Sequence, residues 1–177
     1  MTTTKWALDP THSEIGFKVK HMMFTNVSGN FTSFNVTAET SGDDFGGSAI
    51  EFTAETASVN TNNEQRDGHL KSADFFDAET FPKITFSATS YTQVSGSDYE
   101  LVGNLTIKDV TKSVTLNVEN GGLMKDPWGN LKAGFTITGK INRNDFGLVW
   151  NAALETGGVL VSEDVKINCE IQLVKQA

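Results

Sequence analysis

Apolar side chains at every second position, over most of the chain, are the feature that most restricts the fold. Tyr99, Leu101, Gly103, Leu105 and Ile107 occupy alternate positions without a break. Val165, Ile167, Cys169, Ile171 and Leu173 do the same against Lys166, Asn168, Glu170 and Gln172. Successive side chains of a strand point to opposite faces, so this pattern makes sheets with one apolar and one polar face. Shorter sets repeat it: Ile15, Phe17 and Val19; Ile50, Phe52 and Ala54; Ile84, Phe86 and Ala88; Val114, Leu116 and Val118; Ala133 to Ile141. Val27, Gly29 and Phe31 continue as Phe34, Val36 and Ala38 after a one-residue shift, which predicts a bulge at Thr32–Ser33.

Turn-forming residues punctuate these runs at Ser41–Gly47, Ser95–Asp98, Lys108–Thr111, Gly121–Gly122 and Gly157–Gly158. Only short helices fit between them. Asn63–Phe76 is the best, with Asn63 as cap, and Met22–Asn26 and Asn142–Phe146 each have room for one helical turn. About eight strands with one apolar face each need a common interior, and a sheet closed on itself provides it. The expected fold is all-β: one extended eight-stranded antiparallel β-barrel with short helices in its connecting loops. Ala54, Ala88, Gly103, Ala133 and Gly139 lie on the apolar faces. They either leave room for a ligand or offset the bulk of Phe in a solid core.

A length of 177 residues fits a single domain spanning 1–177. The formal net charge of -8 argues against a nucleic-acid partner. No polybasic run is present to hold an anionic membrane surface, and no apolar run is long enough to span a bilayer. A single cysteine, Cys169, excludes an intrachain disulfide, and burial on the last strand would make it a small hydrophobe. The N-terminus has no apolar signal-like stretch. A cytoplasmic protein is therefore expected, or a periplasmic one if a leader was removed.

Arg66–Pro82, RDGHLKSADFFDAETFP, departs from the alternation. It mixes cations, carboxylates and a histidine with Leu70, Phe75, Phe76 and Phe81. A charged connection of this length in a regular sheet reads as a lid, a plug or a binding loop.

Several segments together resemble the YceI-like family of bacterial lipid-binding proteins. They are DPTHSEIGFKVKH at Asp9–His21, VSGNFTSF at Val27–Phe34, and RDGHLKSADFFDAETFPKITF at Arg66–Phe86. GNLTIKDVTKSVTL at Gly103–Leu116 and NRNDFGLVWNAALETGGVLVSEDVKI at Asn142–Ile167 complete the set, in the same order. The resemblance implies a lipocalin-like barrel with an apolar tunnel for a polyisoprenoid or similar long-chain lipid, such as a prenyl quinone or prenyl diphosphate. It also implies that a homodimer is common in similar proteins.

On that footing the apolar wall is expected from Ile15, Phe17, Val19, His21, Phe31, Phe52, Phe86, Leu101, Leu105, Phe135, Ile137, Trp150 and Ile167. Arg66, His69 and Lys71 are the candidates for the lipid head group. Arg66 has an alternative role, pairing with Asp67 or Asp74 to pin the loop. Arg143 with Asp145 is expected to stabilise a turn, and Asp9 with His12 to tie the first strand to a neighbour. Phe75, Phe76 and Trp150 are placed to close the mouth, with Trp128 on an outer loop.

Two other classes compete. The histidines form no HxH or HExxH pattern, and Asp43–Asp44 and Glu163–Asp164 lack the spacing of a calcium loop, so no metal site is expected. His21, His69, Asp67, Asp74 and Asp77 have the residue types for acid–base chemistry on a lipid head group. No nucleophile elbow, phosphate loop or dinucleotide fingerprint accompanies them. The reading is thus a non-enzymatic lipid binder without catalytic residues or cofactor. An enzyme acting on a prenyl or fatty-acyl head group, and an interaction module with a filled barrel, are the alternatives.

Overall fold

The alternating segments become long antiparallel strands in the computed structural model, which describes residues 3–152 and 160–177. In chain order the elements are β1 (Thr3–Leu8), β2 (Glu14–His21), β3 (Thr25–Phe31), β4 (Phe34–Ser41), β5 (Asp44–Glu55), β6 (Val59–Asn60), α1 (Glu64–Lys71), β7 (Lys83–Ser95), β8 (Asp98–Ile107), β9 (Val110–Lys125), β10 (Leu131–Asn142) and β11 (Val161–Lys175). The ring runs β1-β4-β5-β7-β8-β9-β10-β11, and β11 pairs back to β1. This is an eight-stranded closed barrel.

Strand β11 holds two partners on one edge. Its C-terminal end pairs with β1 (Leu8 opposite Leu173), and its N-terminal half with β2 (Phe17 opposite Ile167). Between them a single turn of 3-10 helix, Pro10–His12, bends the chain, capped by the Asp9 side chain. Strands β3 and β4 bend likewise at Thr32–Ser33, where the shifted pattern predicted a bulge. Strands β2, β3 and β6 thus extend one flank of the barrel beyond the ring.

The interior is packed at one end and looser at the other. Along β11, Leu173, Ile171 and Cys169 are buried, whereas Ile167 and Val165 on the same face are only partly so. The packed end is an aromatic plug: Trp6 lies 4.9 Å from Phe45, Phe45 lies 5.1 Å from Phe135, and Tyr91 stacks on Tyr99 at 4.7 Å between centroids. Trp6 Nε1 donates to Thr40 Oγ1 at 2.8 Å, which satisfies the one polar atom that its burial would strand.

Several expectations need correction. Strand β1 carries too short an alternation to stand out in the sequence. Gly121–Gly122 is not a turn; it is a bulge inside β9, with φ 84° at Gly122 and a register shift opposite Gly134–Phe135. Met22–Asn26 is not a helical turn, because Met22 and Met23 have φ of 55° and 58° and close the β2–β3 hairpin. The helix expected to reach Phe76 stops at Lys71. Gly157–Gly158 lies outside the described residues.

Candidate functional site

A cavity of about 390 Å³ runs along the barrel interior, from the looser end down to Phe45, Tyr91 and Phe135 of the plug. Every candidate for the apolar wall lines it: Ile15, Phe17, Val19, His21, Phe31, Phe52, Phe86, Leu101, Leu105, Phe135, Ile137, Trp150 and Ile167. These residues face inward because the pairing keeps odd positions of β2, β10 and β11 on one side, for example Ile137 opposite Cys169 and Cys169 opposite Ile15. The lining reaches exposed residues at one end, Lys20, His21 and Arg66.

The small inner-face residues do not make this space, apart from Ala54, which lines it. A side chain on Gly103 would collide with the Phe86 ring, and one on Gly139 would collide with Leu116. These glycines seat neighbouring bulk, as a packed core requires. Phe86 and Leu116 themselves line the cavity.

At the mouth, Thr61 organises the polar residues. The backbone N–H and hydroxyl of Thr61 donate to the buried Asp67 carboxylate at 2.8 and 2.5 Å. Arg66 Nε and Nη2 donate to the Thr61 hydroxyl and carbonyl oxygens, each at 2.7 Å. Arg66 therefore pairs with neither Asp67 nor Asp74. Asn63 starts the helix by accepting from the Arg66 N–H at 3.0 Å. His69 Nε2 lies 2.9 Å from Asp74 Oδ2, and its ring packs edge-on against Phe75 and Trp150. Phe76 meets Phe31 edge-on at 5.7 Å, so the aromatics expected to close the mouth do gather there. Lys71 does not join them: it is exposed and off the cavity lining, since the helix ends there and turns its last residue outward. Trp128 is 83% exposed at the other end.

Arg143 also departs from expectation. It does not pair with Asp145. Its buried guanidinium donates to the backbone oxygens of Ser162, Leu148, Trp150 and Val161. That clamp ties the segment carrying Trp150 to the start of β11 and lines the cavity. Burial holds the Arg143 pKa below the usual arginine value. The signal available in sequence was its place at a strand end beside a hydrophobic run, which does not distinguish a clamp from a turn.

Asp9 does tie the end of β1 to another strand, β10, whereas His12 bonds only to Asp9 and Thr11 within its own turn. Asp9 Oδ2 accepts from Lys132 Nζ at 2.6 Å and lies 2.9 Å from His12 Nδ1. The bond from Lys132 holds the Asp9 carboxyl well below the usual carboxylate range. Burial pushes the Cys169 thiol up to about 11 and the Tyr91 phenol up to about 12, so both stay neutral in the core.

A family model described as the YceI-like domain matches residues 6–173. The chain belongs to the YceI-like family. Similar proteins include the UPF0312 protein SA2479 of Staphylococcus aureus strain N315, 41% identical over 170 residues, with 96% of each chain covered. The crystal structure of the Campylobacter jejuni YCEI protein matches with a TM-score of 0.76 at 34% identity, over 96% of this chain and 97% of that one. A polyisoprenoid binding domain from Saccharophagus degradans shares the fold, with a TM-score of 0.66 at 15% identity, over 97% and 98% of the two chains.

Proposed function

We propose that this YceI-like protein binds a polyisoprenoid or other long-chain amphiphilic lipid, with the tail inside the barrel and the head at the Arg66–His69 mouth. The observation that carries this reading is the cavity of about 390 Å³ lined almost throughout by apolar side chains. That volume falls within the roughly 300–1,000 Å³ of small-molecule sites. The polyisoprenoid binding domain from Saccharophagus degradans, which has this fold, supports the choice of ligand class.

Transfer of a tail from water gains roughly 0.8 kcal/mol per buried carbon group, or on the order of 3–4 kcal/mol gross for a five-carbon unit. A few units offset the ordering and association costs. A tail longer than the cavity would run out through the mouth. Arg66 lines the cavity at its exposed end, which favours a head that is anionic or accepts hydrogen bonds, such as a diphosphate or a quinone. Carriage, storage or sequestration follows from such binding, and the reading assigns no catalytic residue.

Solvent extraction of the purified protein followed by lipid mass analysis tests the proposal. A long-chain isoprenoid or related lipid, near one per protein, is the expected result. Extracts matching the buffer blank, together with no uptake of prenyl quinone or prenyl diphosphate, would favour the plain interaction module.

A further inference from the structure

Beside the cavity mouth the fold exposes an apolar tip that its own packing does not use. The β2–β3 hairpin turns through Met22, Met23 and Phe24, which are 50%, 62% and 83% exposed. Met22 and Met23 both sit at positive φ, in a turn where Asn and Gly are the least strained choices. Neither burial nor turn chemistry accounts for three large apolar side chains here.

The outer wall below this tip is basic, although the linear sequence has no polybasic run. Register assembles what the sequence disperses: Lys140 lies opposite Lys166, and Lys166 lies opposite Lys18. All three are exposed, as is Lys20, the next residue on that face of β2. Like charges directly opposite one another repel across a sheet. Of these four lysines, only Lys140 has a carboxylate within ion-pair distance among the described residues, Asp164 at 3.6 Å. At roughly 3.3 Å per residue, Lys20 lies about 7 Å from Met22, within the screening length of about 8 Å at physiological salt, and Lys18 lies about 13 Å away, beyond it. The chain as a whole carries 22 acidic residues against 14 basic ones, so a row of four lysines stands out on this wall, with the exposed Glu163 and Asp164 adjoining it on β11.

We propose that the β2–β3 hairpin docks the protein on an anionic phospholipid bilayer. Phe24 and its methionine neighbours enter the interface, and the lysine row meets the lipid phosphates. His21 lines the cavity and directly precedes the tip, so docking brings the mouth against the lipid. The proposal deepens the lipid-binding reading and rests on it for the purpose of the docked mouth.

Co-flotation with phosphatidylcholine vesicles, with and without phosphatidylglycerol, tests it. The wild-type chain is expected to float with the phosphatidylglycerol vesicles and to release as salt is raised. Phe24→Ser should weaken that partitioning about tenfold. Lys18→Glu combined with Lys166→Glu should remove the dependence on phosphatidylglycerol. Trp128→Ser, at the sealed end, should float as wild type. Thermal melting confirms that each variant is folded, and lipid retention measured in parallel separates the two readings. Flotation by a protein that retains no lipid leaves docking standing while the cavity reading fails. Retention without flotation overturns docking. So does a Phe24→Ser variant that floats normally, or one that only converts a dimer to a monomer, because the tip would then serve self-association.

Discussion

The His69 ring meets Trp150 edge-on, with centroids 4.7 Å apart and planes at 86°. This contact joins α1 to the segment after β10 across the mouth of the cavity. A prenyl quinone entering there should quench Trp150 fluorescence, since the indole lines the route. Trp150→Phe should remove most of the quenching, leaving Trp6 in the plug and Trp128 in solvent as silent reporters. Undiminished quenching would place the ligand elsewhere.

Ile137 lines the cavity on β10, paired with Cys169 on β11. Ile137→Trp should fill part of the void. Overpacking of this kind typically costs about 1–3 kcal/mol of stability, less where space is available. Affinity for a long-tailed ligand should fall about tenfold, while a ligand several carbons shorter loses less. Equal losses for both lengths, measured by displacement of a fluorescent lipid, would argue against tail burial at this wall.

Much of this was legible before any coordinates. Period-two alternation specifies which face of each strand is apolar, and a barrel interior collects those faces, so the wall residues other than Trp150 could be chosen from β2, β3, β5, β7, β8, β10 and β11. Gly121–Gly122 shows the limit. A glycine pair serves a turn or a bulge equally well, and the choice depends on whether the partner strand continues, as β10 does. The mouth was harder still. Arg66, Asp67 and His69 are adjacent on a short helix, yet their partners are Thr61, Thr61 and Asp74. Side chains a turn apart have several acceptors in reach, and only the path of the backbone selects one. The lysine row is invisible in sequence because its members lie on separate strands.

Arg66 donates to Thr61 through Nε and Nη2 while lining the cavity. Arg66→Ala should weaken a prenyl diphosphate by about tenfold and the matching prenyl alcohol far less, by calorimetric titration. Equal weakening of both would assign Arg66 to holding Thr61 and α1 alone.

The Asp9–Lys132 contact makes stability fall with acid. The folded carboxyl titrates below its unfolded value, so below the usual carboxylate range the unfolded chain binds more protons than the folded one. The contribution is therefore complete above roughly pH 5 and is lost as pH falls through roughly 4 and lower. Asp9→Asn should lower Tm at neutral pH and flatten the acid limb of a Tm-against-pH curve. A variant with the wild-type acid limb would remove Asp9 from the account.

Photo-crosslinking tests the interior site most directly. A prenyl diphosphate with a diazirine near the end of its tail would be bound, irradiated and mapped by peptide mass spectrometry. Adducts on inner-face residues such as Phe17, Ile137 and Ile167, competed away by unlabelled ligand, are the expected result. Adducts confined to outer residues such as Phe24 or Trp128 would contradict a tail held inside the barrel.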